Sequence, residues 1–139
     1  MIDRVLVPMD ESEMARRALE YALDAYPDAR ITVLHVVGEA TPMMGGATGI
    51  ALEDDVGAAA EERSEAVFEI AAELAGERGV EVDTKTRIGH PARTIVEAST
   101  EFDTVVVGSH GGSIVDRLFV GDVAETVFRR APVPVVVVR

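Results

Sequence analysis

Apolar and polar positions change their period block by block along this chain. Arg4–Pro8 (RVLVP) is a short apolar run and predicts a buried strand. Met14, Ala15, Ala18, Leu19, Ala22 and Tyr26 recur at helical spacing, which predicts a first helix from Ser12 to about Tyr26. Arg30–Val37 (RITVLHVV) predicts a second strand. Residues 38–52 are rich in Gly and Met and show no period, as a long loop does. Val56, Ala60, Val67, Ile70, Ala71 and Leu74 predict a second helix that stops near Gly76 or Gly79. Val80, Val82, Thr84, Thr86 and Ile88 alternate with Glu81, Asp83, Lys85 and Arg87, the pattern of a strand with one wet face at a sheet edge. Pro91 opens a third helix, with Ala92, Ile95, Val96 and Ser99 along one side. Residues 104–107 (TVVV) predict strand 4. Asp122–Arg130 predicts helix 4, with two arginines on its negative end, and residues 133–138 (VPVVVV) predict strand 5.

Strands separated by helices pair in parallel through right-handed crossovers. No linker, repeat or low-complexity tract divides the chain. The expectation is one α/β domain over residues 1–139: a single doubly wound five-stranded parallel sheet with helices on both faces. With the wet strand 3 at one edge, the order is 3-2-1-4-5. Ligands of such sheets bind beyond the carboxyl ends of the strands, where strand order reverses. Here that point lies between strands 1 and 4.

Composition narrows the partners. At 139 residues, 47% hydrophobic and 27% charged, the chain has the makings of a globular core without staples. It has no cysteine, which excludes disulfides, thiol nucleophiles and cysteine–metal sites. Trp is absent and aromatics are 4%, a poor basis for stacking single-stranded nucleic acid. No apolar run approaches the ~18 residues of a membrane span, and the first one is cut short by Pro8, so a cytoplasmic protein is expected. The formal net charge of −12 repels nucleic acid and anionic lipid. Lys85 is the single lysine among 13 basic residues. Such a surface points to a host with high internal salt; a high-GC genome, which favours Arg over Lys, accounts for the lysine shortage equally well.

Candidate chemistry lies after strands 1 and 4. Strand 1 runs into Met9-Asp10-Glu11-Ser12. Strand 4 runs into Gly108-Ser109-His110-Gly111-Gly112-Ser113, and Gly121-Asp122 opens helix 4. A Gly-rich segment before a helix N-terminus cradles anions, because Gly admits close approach and the helix end offers free N–H groups. A carboxylate across the switch point can accept from a ribose hydroxyl. The loop matches neither the P-loop nor the dinucleotide fingerprint.

These residues resemble the universal stress proteins (UspA-like). The likeness runs through VLVPMDESEMARRALEYA, LHVV, GHPARTIVEAS, DTVVVGSHG and APVPVVVV. Gly108, Gly111 and Gly121 stand at the spacing G-x2-G-x9-G-[ST] of the family's nucleotide-binding branch. The resemblance implies an adenine nucleotide alpha hydrolase-like fold and an adenine nucleotide, ATP or AMP with or without Mg²⁺, as ligand. It implies that Pro8 and Asp10 line the adenosine pocket, with Asp10 near the ribose, and that Val36 meets the adenine through its backbone. Gly108, Ser109, His110, Gly111, Gly112, Ser113 and Ile114 would wrap ribose and phosphates. Gly121, Asp122, Val123 and Ala124 would meet the phosphates at the start of helix 4. It also implies a homodimer through the strand from Val133 to Val138, an apolar edge that otherwise invites aggregation. Asp122 departs from the branch pattern, which has Ser or Thr there. A carboxylate cannot donate to phosphate, and like charges ~4 Å apart cost ~1 kcal/mol in water and ~4 at an effective dielectric of 20.

Structural roles compete for the same residues. Asp122 is a good N-cap, and Asp10 with Glu13 could form a capping box for helix 1. The loop glycines could serve a turn or close packing. His35, inside an apolar strand, reads as a satisfied core histidine, and three histidines without ligand spacing argue against a metal. Ser12, Ser109 and Ser113 sit in no nucleophile elbow. Met43 and Met44 offer an adaptable surface or fill the loop. No residue looks like an activated base beside the phosphates, so at most slow ATP hydrolysis is expected. Two functions remain: a small nucleotide-binding regulator or sensor, and a family member without nucleotide that works through protein contacts. A phospho-acceptor receiver fails, because strand 3 ends Arg87-Ile88-Gly89-His90 without the acceptor Asp. A nucleotidyl-transferring relative fails for want of a phosphate loop after strand 1.

Overall fold

β1 (Arg4–Pro8) runs through the centre of a five-stranded parallel sheet and is paired on both sides. The computed structural model describes residues 1–38, 53–109 and 122–139. The expected loop over 38–52, including Met43 and Met44, lies outside them apart from Gly38. After β1 come α1 (Glu13–Ala25), β2 (Arg30–Val37), α2 (Glu53–Glu77), β3 (Asp83–Ile88), α3 (Pro91–Ala98) with a short 3₁₀ turn, β4 (Thr104–Gly108), α4 (Asp122–Arg130) and β5 (Val135–Val138). The strand order is β3-β2-β1-β4-β5, as the wet third strand predicts.

The sheet splits the core into two layers because strand side chains alternate. Val5 and Val7 of β1, Ile31 and Val33 of β2 and Val106 of β4 pack under α1 and α2. Leu6, Leu34 and Val105 pack on the other face with Ile95 of α3 and Val127 of α4. β1 therefore needs apolar residues at successive positions, which is why it reads as a run. On α2 the buried positions are Ala60, Ser64, Val67, Ala71 and Ala75, mostly small residues spaced at one helical turn. They let the helix lie close to the sheet.

Local rules explain the element ends. The Ser12 hydroxyl accepts from the Ala15 N–H at 3.1 Å and caps α1. The expected Asp10–Glu13 capping box is not formed, because Asp10 is used one step earlier: it accepts from the Ser12 N–H at 2.8 Å. α2 ends where Gly79 takes φ +68°, a left-handed value that glycine adopts freely. β3 starts at Asp83, later than the alternation from Val80 predicts. Val82 packs on the core, whereas Val80 and Ile88 stay 39% and 44% exposed at the rim. β5 is shorter than predicted because Pro134 has no N–H; its carbonyl accepts from the Val105 N–H at 3.0 Å and the Thr104 hydroxyl at 2.7 Å.

Two contacts lock β4 beside β1. At the amino end the Asp103 carboxylate accepts from the N–H groups of Asp3 and Arg4, both at 2.9 Å. These bonds hold its pKa below the ordinary aspartate value. At the carboxyl end α1 lies directly on Gly108: a Cβ there would stand 2.8 Å from the Met14 carbonyl oxygen.

Gly108→Ala must push α1 off the sheet. Overpacking of this kind costs about 1–3 kcal/mol, so thermal unfolding of this variant should begin several degrees lower; an unchanged melting temperature would contradict the contact. Asp103→Ala tests the other end. A lowered carboxyl pKa stabilises the fold above the unfolded value, ~3.9, and the effect fades as pH falls through the folded value. The difference in melting temperature between wild type and this variant should therefore be full at neutral pH and shrink below about pH 4.

Candidate functional site

Crossover helices run against the strands, so the carboxyl ends of β1, β2 and β4 and the first turns of α1 and α4 share one end of the sheet. The chain passes from β1 outward to β2 and β3, then returns to β4 on the other side of β1. In doubly wound sheets this junction of β1 and β4 is where strand order reverses and where ligand crevices form.

The topology brings Pro8, Asp10, Val36, Gly108 and Ser109 to this end. Pro8 closes β1, and the next residue, Met9, is buried and donates its N–H to the Leu34 carbonyl at 2.8 Å. That bond extends the pairing by one residue and turns Asp10 out to the rim, where it is exposed. The Asp10 bond to Ser12 N–H fixes the direction of the carboxylate. Val36 is half-buried over the second core layer and pairs in register with Arg87 of β3. Gly108 ends β4 opposite Val138 of β5, and the buried Ser109 donates its N–H to the Val138 carbonyl at 2.8 Å.

At α4 the first turn begins at Asp122. Val123 packs on the core and Ala124 is buried, so their side chains turn inward and only their backbone can face a ligand. His110, Gly111, Gly112, Ser113, Ile114 and Gly121 lie outside the described residues, as does the side chain of Asp122.

Three features of this end are invisible to periodicity. Gly108 is accounted for by the Met14 contact, which requires no ligand. Gly89 has φ +153°, donates its N–H to the Val37 carbonyl at 3.0 Å, and a Cβ on it would meet the Thr94 hydroxyl at 2.9 Å; it sets the start of α3 beside the end of β2. The only trace of it in the sequence is a glycine ahead of His90-Pro91. The third is the partner of His35. Its Nδ1 lies 2.8 Å from the Ser64 hydroxyl, so the histidine is half-buried and satisfied as expected. Burial pushes its pKa below the ordinary value, against the opposing pull of the Asp10 and Glu11 carboxylates. Asp10 is thus within electrostatic reach of a titratable ring.

The rim carries negative charge on Asp10 and Glu11, which disfavours an anion unless donors such as backbone N–H groups answer it. Among the described residues no group of three or more His, Cys, Asp or Glu is placed to hold a metal ion, and no helix is long and apolar enough to cross a membrane. At the opposite end of the sheet a cleft of about 210 Å³ is lined by Leu23, Tyr26, Ile31, Arg78 and Val80 among others. There Arg78 is held by Asp24 at 2.7 Å.

Comparison with known proteins agrees with this architecture. The universal stress protein family model matches residues 1–139. Universal stress protein YxiE of Bacillus subtilis strain 168 is 30% identical over 148 aligned positions, covering 100% of both chains. The solved universal stress protein UspA from Lactobacillus plantarum superposes with a TM-score of 0.77 at 27% identity, covering 99% of this chain and 98% of that one. A universal stress protein solved in complex with cAMP has the same fold, with a TM-score of 0.72 at 24% identity over 99% of this chain and 97% of that one. A family match from the first residue to the last, joined to a relative aligned end to end, makes this chain a member of the universal stress protein family.

Proposed function

We propose that this universal stress protein is a small cytoplasmic regulator or sensor that binds an adenine nucleotide and acts as a homodimer. The observation that carries the reading is the juxtaposition at the strand-order reversal: an oriented, exposed carboxylate, Asp10, beside the glycine–serine end of β4. Asp10 can accept from ribose hydroxyls. Backbone N–H groups after Gly108 and at the first turn of α4 can take phosphate oxygens. Val36 supplies the backbone edge against which a base can lie. The cAMP complex of a protein of this fold is in keeping with this ligand class.

Asp122 sets the preference among nucleotides. Asp122 begins α4, the turn proposed to meet the outer phosphates, and repulsion between a carboxylate and phosphates grows with phosphate count. AMP is therefore the better ligand without Mg²⁺, and Mg²⁺ or high salt reduces the handicap of ATP.

The second reading, a family member without nucleotide that works through protein contacts, draws support from Gly108. That glycine is explained by packing, so its presence needs no phosphate.

The dimer reading rests on β5. Its four valines are only half-buried, and among the described residues its outer edge is unpaired. Pro134 and Val138 direct their carbonyls to β4. The alternation of a strand then turns the N–H groups of Val135 and Val137 outward, ready to pair with a second copy about a two-fold axis.

Calorimetric titration with AMP, ADP and ATP, with and without Mg²⁺ and at low and high KCl, separates the two readings. The nucleotide reading expects AMP to bind more tightly than Mg²⁺-free ATP, and Asp122→Ser to tighten ATP about five- to a thousandfold, the equivalent of ~1–4 kcal/mol. Flat heats under all conditions would leave the protein-contact reading. For the dimer, light scattering after gel filtration should give twice the chain mass. Val137→Pro, which deletes an outward donor without touching the β4 pairing, should give the monomer; an unaltered dimer would place the interface elsewhere.

A further inference from the structure

At the amino end of the sheet, away from the candidate site, the carboxyl ends of α1 and α2 flank the cleft of about 210 Å³. Its walls are apolar. Leu23 and Ile31 are buried, and Tyr26 and Ala29 are half-buried. Val80 also lines the cleft, and its side chain is left 39% exposed. The Tyr26 ring is met edge-on by Tyr21, with 6.4 Å between centroids. A cavity of about 150 Å³ takes a benzene ring, so this cleft has room for a body of that size.

The charge around these walls is one-sided. Helix carboxyl ends carry partial negative charge and are ordinarily answered by cations. Neither α1 nor α2 has a basic residue in its last turn; Asp24 and Glu77 stand there instead. Arg78 is the single cation lining the cleft among the described residues. Its guanidinium is already committed. Nε and Nη2 donate to the two oxygens of Asp24 at 2.7 and 3.3 Å, and Nη1 donates to the Leu74 carbonyl at 3.2 Å. Glu20 and Glu77 approach the same guanidinium at 4.0 and 3.9 Å, and Glu81 adds an exposed carboxylate to the lining. Arg30 brings no relief: it precedes Ile31 on β2, so its side chain leaves the opposite face of the sheet, where it pairs with Asp83.

Four carboxylates thus stand against one guanidinium beside an apolar wall. An anion would meet a cation already in use and a surplus of like charge. A neutral apolar molecule would gain the walls and leave the surplus unanswered. An apolar body that carries a positive charge answers both.

We propose that this cleft binds a small organic cation, a protonated amine on a ring-sized apolar body, with the body against Leu23, Ile31 and Val80 and the ammonium toward Asp24 and Glu81. The face of an aromatic ring also attracts cations, which Tyr26 can supply. The site is separate from the crevice at the other end of the sheet, and does not depend on whether that crevice holds a nucleotide.

Amide chemical-shift titration of the whole protein at neutral pH, with three probes that share a phenylethyl body, tests it. They are 2-phenylethylamine, 2-phenylethanol and 3-phenylpropionate, which are cationic, neutral and anionic. The amine should shift the amides of Leu23, Tyr26, Ile31, Val80 and Glu81 and leave those of Asp10–Ser12 in place. The alcohol should bind there more weakly, and the carboxylate most weakly of the three. Added KCl should weaken the amine and spare the alcohol. Glu81→Gln, a change at an exposed position, should weaken the amine about two- to fivefold and leave the alcohol unaltered. The proposal is overturned if the amine produces no shifts at millimolar concentration or shifts centred elsewhere. It is overturned equally if the alcohol or the carboxylate binds as tightly as the amine, or if neither salt nor Glu81→Gln weakens the amine.

Discussion

The constraint on which the rest depends is that β1 is paired on both sides and covered on both faces. Val5, Leu6 and Val7 are completely buried. Val5 and Val7 face α1 and α2, and Leu6 faces α3 and α4. With β2 on one flank and β4 on the other, the chain must reverse direction across the sheet at β1. In sheets of this kind that reversal is where ligand crevices form, and β1 and β4 both end there. The candidate site is thus a consequence of how the core is built.

The same packing shapes the chemistry available there. α1 presses on Gly108 through the Met14 backbone, which fixes where β4 stops. Ser12 caps α1, which frees Asp10 from that duty, and the Asp10 carboxylate accepts from the Ser12 N–H instead. An exposed acid in a chain of net charge −12 makes the mouth hostile to a polyanion unless N–H groups answer it. Under the proposed function, affinity would be a balance between a carboxylate that accepts from ribose and charge repulsion at the phosphates.

Much of this was legible in the sequence, for physical reasons that differ by element. β1 and β2 announce themselves because strands buried on both faces must be apolar runs, and the wet alternation of β3 set it at an edge and so set the strand order. β3 starts later than its pattern predicts because alternation continues through residues 80–82, which precede the paired strand. The Asp10–Glu13 box was a fair reading of spacing, but Ser12 competes for the same cap and lies one step closer to the helix. Pairings such as His35 with Ser64, or Gly108 with Met14, join residues far apart in the chain. No period or motif encodes them; they follow only once the helices lie on the sheet. The family resemblance supplied the site roles of Pro8, Val36 and the loop residues, which residue pattern alone would not have assigned.

Amide chemical-shift mapping during titration of the isotope-labelled protein with AMP tests the central claim most directly. The account predicts shifts gathered at Asp10–Ser12, at the ends of β2 and β4 around Val36 and Ser109, and in the first turn of α4. Shifts centred on the opposite cleft around Leu23, Tyr26 and Arg78, or spectra that do not move at saturating AMP, would contradict it.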